Sequence, residues 1–150
     1  MYKKILVPLD GSALAEAILP HVTEVARIHN AEVVLLRVAL AHAFPGVDPT
    51  EGQVEAVREA EKYLEAMEKE QKERHVKVSS VVRYGHPAEE ILDHAAFAVI
   101  DLIAMSTHGR SGVSRWVLGS VAEKVLRASS TPLLLVRAPG AGEHASEAKL

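Results

Sequence analysis

The sequence predicts a doubly wound α/β fold, a five-stranded parallel sheet with helices on both faces. Three observations lead there. Short runs rich in Ile, Leu and Val alternate with longer stretches of helical spacing, giving the order β-α-β-α-β-α-β-α-β. The strand-like runs are apolar at nearly every position, the mark of strands buried on both faces and therefore parallel. Small residues gather where one strand ends and again where a helix begins. Sheets of this kind bind ligands beyond the carboxyl ends of their strands, where the winding reverses.

Each element has its own signal. Residues 2–8 form the first strand. Residues 12–28 have helical spacing, with Leu14, Ile18, Val22, Val25 and Ile28 on one stripe. Pro20 lies opposite that stripe. It should kink the helix by removing the bond to the Glu16 carbonyl without ending it, because the stripe continues. Asn30 is a C-terminal cap, and residues 32–38 form the second strand. Residues 39–50, with two prolines and a glycine, read as a loop. Residues 51–74 read as an amphipathic surface helix, its apolar side marked by Val54, Val57, Leu64, Met67 and Gln71. A third strand spans 77–84, and the turn Gly85-His86-Pro87 leads into a helix over 88–97 with proline in its first turn. The fourth strand spans 99–105. The last helix runs from about Ser120 to Ala128, Thr131-Pro132 ends it, and residues 133–137 form the fifth strand. Residues 1–137 are thus expected to be one domain, with 138–150 a flexible tail.

Composition narrows the function. The net charge is −3 with both signs interspersed, so no basic field marks the chain as a nucleic-acid binder. It has no cysteine, which excludes disulfides, thiolate zinc sites and cysteine nucleophiles. No apolar run reaches membrane-spanning length, and the N-terminus enters a strand pattern without a signal-peptide core; a cytoplasmic protein is expected. Eight histidines invite a metal hypothesis, but no His-x3-His spacing occurs, and His94 beside Asp93 is read as solvated. The Walker lysine motif and Gly-x-Gly-x-x-Gly are absent.

The chemistry concentrates at two strand ends. One is Pro8-Leu9-Asp10-Gly11-Ser12. The other is Met105-Ser106-Thr107-His108-Gly109, followed by Gly119-Ser120 and a helix. If the winding reverses between strands one and four, the two loops meet in one crevice. Glycines let backbone N–H groups approach phosphate oxygens, and a helix N-terminus adds unpaired N–H groups and partial positive charge. A surface loop with a helix cap is the plain alternative. Asp10 suits a ribose hydroxyl or a metal held through water, and equally a capping role; Ser12 reads first as a cap. His108 is open to three readings: a neutral donor to phosphate, a charged phosphate partner, or a tie within the loop. Arg110 and Arg115 could screen phosphate, and Trp116 reads as packing or an oligomer contact.

These residues resemble a known family. The opening Met-Tyr-Lys-Lys-Ile-Leu-Val-Pro-Leu-Asp-Gly-Ser, the central Gly85-His86-Pro87-Ala88 and the Ser-Thr-His-Gly-x9-Gly-Ser run are together similar to the universal stress proteins, over the chain up to Arg137. The ATP-binding branch of that family carries Gly-x2-Gly-x9-Gly-Ser/Thr. Gly109, Gly119 and Ser120 match it, and Ser106 stands at the first glycine position. The resemblance implies a Rossmann-like fold of the adenine-nucleotide-binding type. It places Pro8, Leu9 and Asp10 along the nucleoside, with Asp10 near the ribose. Val38 and Met105 would then cover the two sides of adenine, and Ser106, His108, Gly109, Gly119, Ser120 and Val121 would hold the phosphates. The ligand would be ATP, or ADP or AMP, with Mg2+ or Mn2+ accompanying it.

Two classes of function follow. One is a nucleotide-dependent regulatory or stress-response protein, with slow or partner-dependent hydrolysis at most, an unnamed protein partner, and a homodimer formed through the apolar last strand Leu133-Leu134-Leu135-Val136. The other is a nucleotide-free interaction module. A phosphate-ester hydrolase using Asp10 is disfavoured, because no companion carboxylate follows two residues on.

Overall fold

The structure is a computed structural model that describes residues 1–40, 45–46, 48–108 and 118–138. Ten elements follow the expected order with one addition: β1 (Lys4–Pro8), α1 (Ala13–Glu16), α2 (Leu19–His29), β2 (Glu32–Ala39), α3 (Pro49–Glu73), β3 (Lys77–Tyr84), α4 (Pro87–Phe97), β4 (Leu102–Ser106), α5 (Ser120–Ala128) and β5 (Leu133–Val136). The strands make one sheet in the order β3-β2-β1-β4-β5, and every pairing is parallel. The winding therefore reverses at β1, between β2 on one side and β4 on the other.

Strand alternation divides the core in two. Odd positions such as Ile5, Val7, Val33 and Leu35 pack against α1, α2 and α3. Even and neighbouring positions such as Leu6, Leu36 and Met105 pack against α4 and α5. Ile5, Leu6, Val7, Leu35 and Ile103 are fully buried, as strands covered on both faces should be.

The helix expected over 12–28 is two helices. Pro20 has no N–H for the Glu16 carbonyl, and the regular helix is interrupted at Ala17 and Ile18, which keep right-handed helical backbone between α1 and α2. Pro20 falls in the first turn of α2, where a missing N–H costs nothing. The buried stripe is Ala15, Ile18, Leu19, Val22, Thr23 and Ala26, one helical phase carried through Ala17 and Ile18, and it leaves Ile28 76% exposed. Asn30 ends α2 in the left-handed conformation, as its sequence position implied.

Helix α3 starts earlier than expected. Asp48 accepts the Thr50 N–H at 2.9 Å, and Pro49 occupies the first turn. Its inward face carries Ala60, Leu64 and Gln71. The Thr23 hydroxyl donates to Gln71 Oε1 at 3.0 Å and ties α2 to α3. Val54, placed on the apolar side by its spacing, is half exposed. The strand expected over 99–105 begins at Leu102, because Val99 has a positive φ and turns the chain.

His94 corrects a sequence reading. It is buried on α4, and its Nδ1 has no hydrogen-bond partner among the described residues. Burial lowers its pKa, and the charges of Arg83 and Lys4 lower it further.

Candidate functional site

The loop after β1 is tightly wound. Asp10 Oδ1 accepts from the Ser12 N–H at 2.9 Å and from the Ser12 hydroxyl at 2.5 Å. Ser12 Oγ in turn accepts the Ala15 N–H at 3.1 Å, which is the cap its sequence position suggested. Gly11 has φ +86°, a conformation few other residues adopt. A Cβ there would also collide with the Arg37 guanidinium.

The loop after β4 lies beside it. Met105 and Ser106 are buried at the strand end. The Ser106 hydroxyl donates to the Ala15 carbonyl at 3.2 Å, so it ties β4 to α1. The Thr107 hydroxyl lies 3.0 Å from His108 Nδ1. His108 Nε2 is buried and has no partner among the described residues.

Gly119 departs from the expectation that its N–H meets a phosphate. That N–H donates to the Thr107 carbonyl at 2.7 Å. A Cβ on Gly119 would sit 2.7 Å from the same oxygen, so the residue is small because two loop segments touch there. Gly119 caps α5, and its carbonyl accepts the Glu123 N–H at 2.9 Å. The first-turn N–H groups of Ser120, Val121 and Ala122 have no partner among the described residues. These three, and not Gly119, are the donors available to an anion.

The winding reversal brings the two loops together, as the sequence reading required. Pro8, Leu9, Asp10, Val38, Met105, Ser106, His108, Gly119, Ser120 and Val121 line one cavity of about 760 Å³, within the range of small-ligand sites. Gly109, Arg110, Arg115 and Trp116 lie outside the described residues. Val38 and Met105 supply apolar walls from the α4–α5 side of the sheet. His108 and the start of α5 supply polar groups. The cavity thus has apolar surface for a flat base and donors for an anion.

Sequence reasoning missed a third wall. The first turns of α3 contribute Glu51, Gly52, Glu55, Ala56 and Glu59 to the cavity. The signal was present in the spacing of four between Glu51, Glu55 and Glu59, which places them on one face. Arg37, at the end of β2, was missed as well. Its guanidinium lies over the Tyr63 ring, 4.7 Å from the centroid. Burial, and after it the nearby Glu16, push the Tyr63 phenol well above its ordinary pKa. Among the described residues, no group of three or more His, Cys, Asp or Glu side chains forms a metal cage, and no helix is long and apolar enough to cross a membrane.

A parallel sheet that reverses at its first strand, with a ligand-sized cavity over the reversal, defines a Rossmann-like α/β domain. The profile of the universal stress protein family matches residues 1–137, and the chain belongs to that family. Universal stress protein MJ0531 of Methanocaldococcus jannaschii is 35% identical over 144 residues, covering 93% of this chain and 84% of the relative. Universal stress protein MJ0577 of the same organism is 32% identical over 155 residues, covering 91% and 96%. Its solved structure superposes with a TM-score of 0.83 at 34% identity, covering 93% and 98% of the two chains. The universal stress protein UspA of Lactobacillus plantarum gives 0.79 at 25% identity, covering 91% and 98%.

Proposed function

We propose that this chain is a nucleotide-dependent regulatory protein that binds ATP in the cavity over the β1–β4 reversal, and ADP or AMP by the same base pocket. One observation carries the reading. The cavity brings together the apolar pair Val38 and Met105, His108 Nε2 and the three N–H groups at the start of α5, the last two without partners among the described residues. Adenine suits the first, and a phosphate chain suits the second. The fold accommodates such ligands elsewhere in the family: one universal stress protein structure holds cAMP and one from Arabidopsis thaliana holds AMP, at 22% and 16% identity to this chain. Those likenesses concern the fold alone.

In this reading Asp10 takes the ribose, and a Mg2+ or Mn2+ ion enters with the phosphates. His108 presents Nε2–H to phosphate when its Nδ1 accepts from the Thr107 hydroxyl. In this reading turnover of the nucleotide is slow or needs a partner. Calorimetric titration with ATP, followed by analysis of the bound nucleotide, tests the reading. Stoichiometric binding with ATP recovered intact is expected. Rapid hydrolysis would make the chain an enzyme, and absence of binding would make it an interaction module.

The same reading includes a homodimer. Strand β5 lies at the edge of the sheet, and Leu133–Val136 is apolar throughout. An open apolar edge favours pairing with a second copy. Sedimentation equilibrium at micromolar protein should return twice the chain mass; a clean monomer would contradict the dimer.

A further inference from the structure

Arg37 does more than line the cavity. It projects from β2 toward the α1–α3 side, where Tyr63 of α3 packs against the core. The guanidinium is seated on that ring at 4.7 Å. Its other neighbour is Gly11, approached so closely that even a methyl group there would overlap Arg37. The guanidinium thus has the Tyr63 ring below it and the Gly11 backbone above. Gly11 is the middle of the turn in which Asp10 Oδ1 holds the Ser12 N–H and hydroxyl. Whatever supports Gly11 supports the angle at which Asp10 enters the cavity.

We infer that Arg37, clamped between the Tyr63 ring and the Gly11 backbone, is a positioning residue for Asp10, and that this clamp gives the site its preference for ribose over deoxyribose. The inference rests on the proposed reading that an adenine nucleotide occupies the cavity with its ribose at Asp10. A ribose hydroxyl bonded to a carboxylate is a directional contact, and a carboxylate that swings loses it while the base and phosphate contacts remain. The planar guanidinium suits the part because it stacks on an aromatic ring. Its seat on α3 also links the helix that carries Glu51, Glu55 and Glu59 to the β1 loop.

The test is equilibrium titration of ATP, 2′-deoxy-ATP and 3′-deoxy-ATP against the full chain and the variants Arg37→Leu, Tyr63→Leu, Asp10→Asn and Arg37→Leu with Asp10→Asn. The unmodified chain should bind ATP about 10-fold or more tightly than at least one deoxy analogue, the worth of one hydrogen bond to a carboxylate. Arg37→Leu should bring that ratio close to one, with ATP losing more affinity than the deoxy analogue. Tyr63→Leu, which removes the seat from the other side, should do the same. In the Asp10→Asn background, Arg37→Leu should change little. An unchanged ratio in both clamp variants, or equal loss for ATP and both analogues, overturns the inference. Binding of ATP without ribose preference in the unmodified chain overturns it too and leaves the nucleotide reading standing. If the unmodified chain binds none of the three, both readings fall. Thermal unfolding of each variant without ligand identifies a variant that does not fold, and the remaining clamp variant then decides.

Discussion

Replacing Ser120 with proline is expected to weaken ATP binding by about 100-fold or more while leaving adenosine binding unchanged. Ser120 is the first residue of α5, and proline is favoured there, because its missing N–H has no helical partner and its φ is already helical. The preceding Gly119 has φ −58° and ψ 149°, the extended conformation that a residue before proline prefers. The substitution should therefore preserve the helix. It removes two donors, the backbone N–H and the hydroxyl. Each is worth about 1.5–3 kcal/mol when it meets a charged oxygen, and the two together give the expected loss. Adenosine has no phosphate and should not respond. Parallel losses for adenosine and ATP would mean that the phosphates lie elsewhere. A bulky replacement of Gly119 is a poorer probe, since its Cβ would strike the Thr107 carbonyl whether or not a nucleotide is bound.

Val38→Asp has the complementary signature. Val38 is half-buried at the end of β2 and packs toward Met105 and the α4–α5 core. A carboxylate there faces an apolar base and gives up its water. An unpaired buried charge costs about 3–5 kcal/mol, so ATP and adenosine should both lose about 100-fold or more in affinity. Calorimetric titration with both ligands, with circular dichroism as the fold control, reads the effect. Unchanged affinity in a folded variant would place the base away from β2. Together the two variants separate the ends of the ligand: one acts on phosphate alone, the other on everything that carries adenine.

The strands were legible in the sequence because burial on both faces leaves a chemical trace, the unbroken runs at Ile5-Leu6-Val7 and Val33-Val34-Leu35-Leu36. The crevice was legible because strand-end glycines and a helix start fall at a fixed spacing, and the reversal at β1 brings them together. Other features were less so. The buried face of α1 and α2 includes Ala15, Thr23 and Ala26, small or polar residues with little apolar signal, and periodicity alone continued the stripe to the exposed Ile28. The start of α3 was written as Asp48-Pro49, a cap followed by a first-turn proline, but a neighbouring proline and glycine made the segment read as loop. The partner of the Gly119 N–H is a carbonyl, and a carbonyl has no sequence signature. Arg37 and the glutamates of α3 reach the cavity only because β2 and α3 bracket it in space.

The claim that matters most is where the two ends of the nucleotide lie, and amide and methyl chemical shifts report both at once. Titration with ATP should move the amides of Ser120, Val121 and Ala122 together with the methyls of Val38 and Met105. Adenosine should move the methyls and leave the three amides nearly in place. Shifts that bypass both sets, for example gathering along the surface groove of Glu65, Lys69 and Glu73, would contradict the account.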